Sequence, residues 1–214
     1  MKSNQFGRSM VEMLGVLAII GVLSVGSIAG YSKAMFKYKM NKYAIAYNTL
    51  LNDLLDIKDN LAKINGTTNG GNTIHYYGDF FKKLNMIPEG FKYVKDDELK
   101  DIFNNSVLIY QYSAMAKIPN PDDFPGGIRT EIQATKEGRE ICHQILNIAK
   151  ENSKNLSQAM IYINKIAANE LNIYGDKRCK SDVKCLSNMT INDVEYFCHA
   201  CNNQPCYVYT LWRG

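Results

Sequence analysis

Six cysteines carry the most legible chemistry in this 214-residue chain. Cys142, Cys179, Cys185, Cys198, Cys201 and Cys206 all fall in its last third, and residues 1–141 hold none. A cysteine can pair oxidatively, bind a soft metal as a thiolate, or act as a nucleophile. An even set crowded into a loop-rich region suits a domain with a small core that folds in an oxidising compartment. Spacing does not select among the pairings that six cysteines allow. The competing chemistry is zinc. Cys198-His199-Ala200-Cys201 followed by Cys206, with Cys179 and Cys185 upstream, could offer four thiolates. Against it, there is a single Cys-x-x-Cys pair, and the Cys179–Cys185 gap is wider than a zinc knuckle. As a redox motif, Cys198-x-x-Cys201 lacks the preceding thioredoxin-like strand.

The other titratable residues offer less. His143 follows Cys142 directly, but consecutive residues on a helix point about 100° apart and do not form a nucleophile–base pair. His75 falls in a polar loop and His199 between cysteines. Asp122-Asp123, in a loop rich in Pro and Gly, falls short of the roughly six to eight oxygens that calcium takes. The sequence has no phosphate-binding glycine loop, dinucleotide fingerprint or serine elbow. These features predict a protein that is not an enzyme and holds no cofactor or metal. The net charge of +4 is mild, and the lysines just after the apolar N-terminal run supply much of it. A nucleic-acid-binding face is therefore not expected.

A scaffold must position these residues, and it starts with a helix. From Met13 to Ser32 (MLGVLAIIGVLSVGSIAGYS) there is no charged side chain. As a helix that run rises about 30 Å, the thickness of a bilayer's hydrocarbon core. Glu12 stands at its mouth, where a bare carboxylate costs roughly 2.5–3.5 kcal/mol by insertion scales, so its presence points to a partner. Beyond the span the pattern becomes amphipathic. Phe36, Met40, Tyr43, Tyr47, Leu50, Leu54, Ile57, Leu61 and Ile64 alternate spacings of four and three, one stripe along a water-exposed helix. That stripe fits a coiled-coil seam or the spine on which the chain's own domain packs, and the spine is the simpler reading. Asn65-Gly66 is a good helix terminator. A single helix from Arg8 to Ile64 would be about 85 Å long.

Gly7, Glu12 and the apolar helix behind them resemble the processing and assembly signal of type IV pilins and the related type II secretion pseudopilins. In that family a short basic leader ends in Gly, and a prepilin peptidase cuts after it on the cytoplasmic side. The new N-terminus is methylated, and the fifth residue of the mature chain is Glu. The resemblance implies cleavage between Gly7 and Arg8, N-methylation of Arg8, and Glu12 as the assembly residue, paired with the α-amino group of Arg8 on an adjacent subunit. Gly21 matches a glycine common in the family's helix. Two positions depart from the pattern: Arg8 stands where the mature chain usually begins with an apolar residue, and no Pro occurs near Ala29, which implies a less kinked helix. The implied life cycle is a single-pass inner-membrane precursor with its domain in the periplasm, then a cell-surface pilus (a fimbrium) or a periplasmic pseudopilus. The implied partners are the prepilin peptidase, an inner-membrane assembly platform and other pilin subunits. Cys142 near the start of a domain helix, with cysteines close to the C-terminus, is also similar to the type IVb pilins, in which a disulfide ties such a helix to the C-terminal segment.

The expected domains are a leader at 1–7, the transmembrane half of the helix at 8–32, its amphipathic half at 33–64, and a globular domain at 65–214. Within that domain, 65–73 reads as a loop, Asp79–Asn85 and Asp96–Phe103 as short helices, and Ser106–Ile118 as a strand. After a Pro-Gly loop, Ile128, Thr130, Ile132 and Ala134 alternate with Arg129, Glu131 and Gln133 as a half-buried strand, pairing with the first as a wide hairpin. Thr135–Asn152 and Asn155 to about Leu171 read as helices. Tyr207–Trp212 reads as a strand completing the sheet, its aromatics, with Tyr196 and Phe197, more in keeping with core than with a contact surface. The fold expected is α+β and pilin-like: a long N-terminal helix on an antiparallel sheet, extra helices and a disulfide-tied C-terminal region. Two other readings compete: a secretory signal cut near Ala29 or Gly30, and a single-pass tether for a cysteine-rich binding module that does not polymerise. Lys33, Lys37, Lys39 and Lys42 follow the span while Lys2 and Arg8 precede it, a bias that favours a cytoplasmic domain. The cysteines favour the opposite side and decide the expectation.

Overall fold

The computed structural model describes residues 6–64, 74–112, 127–163, 172–202 and 205–212. Most of the expected leader, the 65–73 loop, the Pro-Gly segment with Asp122 and Asp123, the far end of the 106–118 strand and residues 164–171 lie outside the described residues. Helix α1 (Phe6–Ile64) contributes to two compact units, one ending at Asn41 and the other starting at Lys42. In the first unit it is long and apolar enough to cross a membrane. For Gly7 and Arg8 the backbone alone is described, as the first turn of α1.

In the second unit α1 is the spine that its spacing predicts. Tyr43, Tyr47, Leu50, Leu51, Leu54 and Leu61 are fully or almost fully buried. They repeat every three or four residues because only one side of a helix can face a core. The domain they enter is an eight-stranded antiparallel sheet in the order β2-β3-β4-β5-β8-β6-β7, with β1 also paired to β4. The strands are β1 (Ile74–Tyr76), β2 (Lys92–Tyr93), β3 (Leu99–Lys100), β4 (Ser106–Tyr112), β5 (Gly127–Ala134), β6 (Gln158–Ile163), β7 (Asn172–Tyr174) and β8 (Cys206–Trp212). Among the described residues, three further α-helices decorate it: α2 (Gly78–Lys83), α3 (Gly138–Glu151) and α4 (Ile191–Cys198).

The C-terminal strand takes a central place. β8 lies between β5 and β6, with Ile132 opposite Val208 and Ile161 opposite Val208 on the other side. Since β5 and β6 each run antiparallel to β8, they run parallel to one another, joined through α3 around the slot that β8 fills. Six of its seven residues are buried, which requires cover on both faces. At the centre of the α1 contact, the Tyr47 hydroxyl lies 3.0 Å from Thr130 Oγ1 and 2.9 Å from Thr210 Oγ1, and the two threonine oxygens are 2.6 Å apart. Three hydroxyls so arranged can each donate once and accept once, which satisfies a polar cluster in a dry core.

Two expected helices are strands instead. Asp96–Phe103 contains the turn and second strand of the β2–β3 hairpin. Asp96 and Asp97 take left-handed φ of 50° and 62°, and the Glu98 N–H closes the turn onto the Lys95 carbonyl at 2.9 Å. Short acidic side chains tolerate that conformation, and two in succession end any helix. Gly78 allows the Asp97 backbone to come so close that a Cβ would collide with its carbonyl. The predicted helix from Asn155 is β6. The stripe of Leu156, Met160 and Ile163 has helical spacing, but pairing with both β8 and β7 gives Gln158–Ile163 the stronger set of backbone partners. Helix α3 starts three residues later than expected because Glu137, at φ 53°, breaks the chain direction. Arg129, expected on the solvent face of β5, is buried opposite Tyr110 and beside Glu131, which accepts the Tyr110 hydroxyl proton at 3.2 Å.

The loop between β3 and β4 is tied to the end of β5 by buried side chains. Asp101 accepts from the Phe103 and Asn105 amides at 2.9 and 2.8 Å. Asn105 Oδ1 in turn accepts from the Thr135 and Lys136 amides at 2.9 and 3.0 Å.

Tyr47→Phe should lower unfolding free energy by about 1–2 kcal/mol, because it leaves two buried threonine hydroxyls short of a partner. The single tryptophan, Trp212, is buried in β8 and gives the fluorescence signal for a urea titration. Burial pushes the Tyr47 phenol up to about 12 and Tyr43 and Tyr110 upward as well. A raised phenol pKa stabilises the fold fully below the unfolded value of about 10 and loses that contribution as pH rises through the folded one. Tyrosinate absorbance should therefore show an early group of exposed tyrosines, then a late group that titrates together with loss of the native Trp212 signal.

Candidate functional site

The residues singled out by the sequence fall in two regions, one in each unit. In the first, every side chain of α1 from Met10 to Ala34 is exposed. Val22 is 76% exposed and Ile28 67%. A contiguous apolar surface of that extent marks a membrane or a protein partner. Two serines leave it apolar. Ser24 donates to the Ile20 carbonyl and Ser27 to the Leu23 carbonyl, both at 2.7 Å, so their hydroxyls turn back onto the helix. A Cβ added at Gly15, Gly21 or Gly26 would meet nothing within 4 Å. Those positions leave room for close approach of another helix. Glu12 lies on this helix one residue before the uncharged run.

In the second region all six cysteines are paired: Cys142–Cys198, Cys179–Cys185 and Cys201–Cys206. The first ties α3 to α4, the second closes a short loop after β7, and the third joins a turn of 3₁₀ helix (His199–Cys201) to the start of β8. A sulfur in a disulfide is not a thiolate, so the zinc reading of these cysteines gives way. Cys198 and Cys201 bond to different partners, so the Cys-x-x-Cys spacing makes no redox pair.

Charged side chains reinforce the α3–α4 contact. Glu195 Oε1 accepts from the Arg139 guanidinium, and its Oε2 lies 3.1 Å from His143 Nε2. Arg139 and His143 stand four residues apart and so share one side of α3. That spacing was visible in the sequence, but its partner Glu195 is distant in the chain. Helix α4 begins with a capping box: Thr190 Oγ1 accepts from the Asp193 amide at 3.2 Å, and Asp193 Oδ2 accepts from the Thr190 amide at 2.7 Å. Lys184 adds an ion pair to Asp193 at 2.7 Å. Lys184 and the Thr190 contacts hold the Asp193 carboxyl down to about 2.

His75 is on strand β1 opposite Gln111, not in a loop. His199 is exposed. Of the C-terminal aromatics, Phe197, Tyr207 and Trp212 are buried as core, whereas Tyr196 is 64% exposed. A cleft of about 420 Å³ opens at the N-terminal end of α3, lined by Thr135, Glu137, Arg139, Glu140 and Asn202 among others. It is polar, and its lining brings no histidine or thiolate beside the carboxylates. No family model matches this chain, and a search of curated proteins finds no match either.

The loops closed by the three disulfides differ greatly in length, with sequence separations of 56, 6 and 5. Chain entropy assigns about 4 kcal/mol to the longest and about 2 kcal/mol to each short one. Replacing Cys142 and Cys198 together by Ala should therefore lower the urea midpoint clearly more than replacing Cys179 and Cys185, with unfolding followed by Trp212 fluorescence. The Asp193 cap contributes above the unfolded carboxylate range near pH 4 and is lost as pH falls through about 2. Lys184→Met should move the Asp193 carboxyl back up toward that range, read from its carbon chemical shift against pH.

Proposed function

We propose that this chain is a structural subunit of a filament of the type IV pilus or type II secretion class, anchored first in the inner membrane and assembled through α1. The observation that carries the reading is the uncharged run Met13–Ser32 on an exposed stretch of α1, preceded by Glu12 and Gly7 at pilin spacing. In lipid, those side chains lie in hydrocarbon. In a filament, they pack against the same segments of other subunits, and van der Waals contact at the glycines replaces contact with lipid tails. Cleavage after Gly7 frees the α-amino group of Arg8. Glu12 of one subunit then meets that ammonium group on a neighbour, a charge pairing that fixes axial register in a medium of low dielectric.

The three disulfides support placement of the domain outside the cytoplasm, where thiols are oxidised. The Cys142–Cys198 bond links a domain helix to the C-terminal region, the kind of link that the resemblance to type IVb pilins implies.

Intact-mass and N-terminal analysis of protein from bacterial membranes containing a prepilin peptidase tests the reading. A chain starting at Arg8 is expected. A chain still starting at Met1 would favour a tethered, non-polymerising module, and a cut near Gly30 would mean a secreted domain. Glu12→Ala should leave insertion and folding intact and abolish filaments in sheared fractions; normal filaments from that variant would remove the register role.

A further inference from the structure

Past its apolar run, α1 changes character within one turn. Lys33, Lys37 and Lys39 are exposed, and among the described residues none of the three makes an ion pair. Lys42, the next cation, is already engaged with Glu89 at 2.6 Å. From Met13 to Asn52 the helix contains no Asp or Glu, so its own surface supplies no counter-charge to the three lysines. At about 100° per residue, Lys33 and Lys37 point about 40° apart, and Lys39 points well over 90° away from both. The cations therefore lie on two sides of the helix instead of forming one stripe. Tyr31 and Tyr38, 66% and 62% exposed, are seven residues apart and share one side.

The axial spacing matches a bilayer surface. With Met13–Ser32 filling the hydrocarbon, Lys33 stands at its edge and Lys39 about 9 Å further out. The headgroup layer of one leaflet is roughly 5–8 Å thick, and lysine stems extend the reach of each ammonium group. Tyrosine, like tryptophan, is enriched at this boundary. A layer of phosphates surrounds a spanning helix and so reaches cations on both of those sides.

Resting on the membrane reading of α1, we propose that Lys33, Lys37 and Lys39 form a collar that binds the phosphate groups of anionic phospholipids in the leaflet facing the domain. Each lysine at an anionic surface contributes on the order of a fivefold preference, so three supply up to about a hundredfold. The collar holds the precursor at a fixed depth and gives its cations partners on the side where the positive-inside bias disfavours them. Release of those lipids accompanies extraction of the helix from the bilayer.

The test uses full-length protein reconstituted into vesicles of phosphatidylcholine and phosphatidylglycerol in equal parts. Native mass spectrometry counts the lipids retained by the protein, and alkaline carbonate extraction confirms insertion. The wild type should retain phosphatidylglycerol over phosphatidylcholine by roughly tenfold or more. The Lys33→Gln/Lys37→Gln/Lys39→Gln variant should insert equally well and fall to parity. Equal retention of both lipids by inserted wild type would overturn the proposal. So would a variant that keeps the lipid preference but loses self-association in the membrane, which would assign the lysines to a protein partner. Protein that carbonate removes from the vesicles would instead sink the membrane reading itself.

Discussion

The three-hydroxyl contact of Tyr47 with Thr130 and Thr210 is the constraint on which the domain's organisation depends. It joins a residue of the spine helix to the two strands at the middle of the sheet, and all three side chains are buried. An apolar stripe alone would let α1 slide or rotate by a few degrees at little cost, because hydrophobic contact is not directional. Hydroxyls in a dry core tolerate no such slippage, since an unsatisfied one costs about 1–3 kcal/mol. Stacking of Tyr43 on Tyr47, with Phe91 and Phe103 around Tyr43, extends the same registration along the helix.

That registration cannot form until β8 is in place. Thr210 belongs to β8, the last strand, which fills the slot between β5 and β6. The sheet is therefore closed by its most distant segment, a long-range contact that costs loop entropy before it brings any gain. Two of the disulfides act on this step. Cys201–Cys206 pins the entry of β8, and Cys142–Cys198 holds α4 against α3, which itself lies against β5 and β8. Oxidation in the compartment where the chain folds thus stabilises the part of the sheet that local sequence is least able to form.

The two stretches of α1 obey opposite rules. From Lys42 onward one side is buried and the other is mostly polar, Ile45 apart, as packing on a soluble core requires. From Met13 to Ser32, uncharged and mostly apolar side chains cover the whole circumference, a pattern suited to contact with lipid or with many neighbouring helices. On the proposed membrane reading, the lysines at 33, 37 and 39 mark the change of solvent, because an ammonium group is costly in hydrocarbon and stable at the headgroups.

The sequence by itself determined what local periodicity and composition encode: the single long helix, the side of it that enters the core, the strands at β4, β5 and β8, helix α3, and oxidation of the cysteines. It failed where partners distant in the chain overrule a local pattern. Leu156, Met160 and Ile163 keep helical spacing, yet Gln158–Ile163 is a strand because β8 and β7 offer it backbone hydrogen bonds on both sides. Asp96 and Asp97 read as a helix start, yet their left-handed backbone closes a hairpin that only the sheet stabilises. The pairing of Cys142 with Cys198, the placement of His143 beside Glu195, and the central place of β8 were likewise decided by tertiary structure. Periodicity reports which side of an element is buried, whereas the identity of the partner is a property of chain closure over long separations.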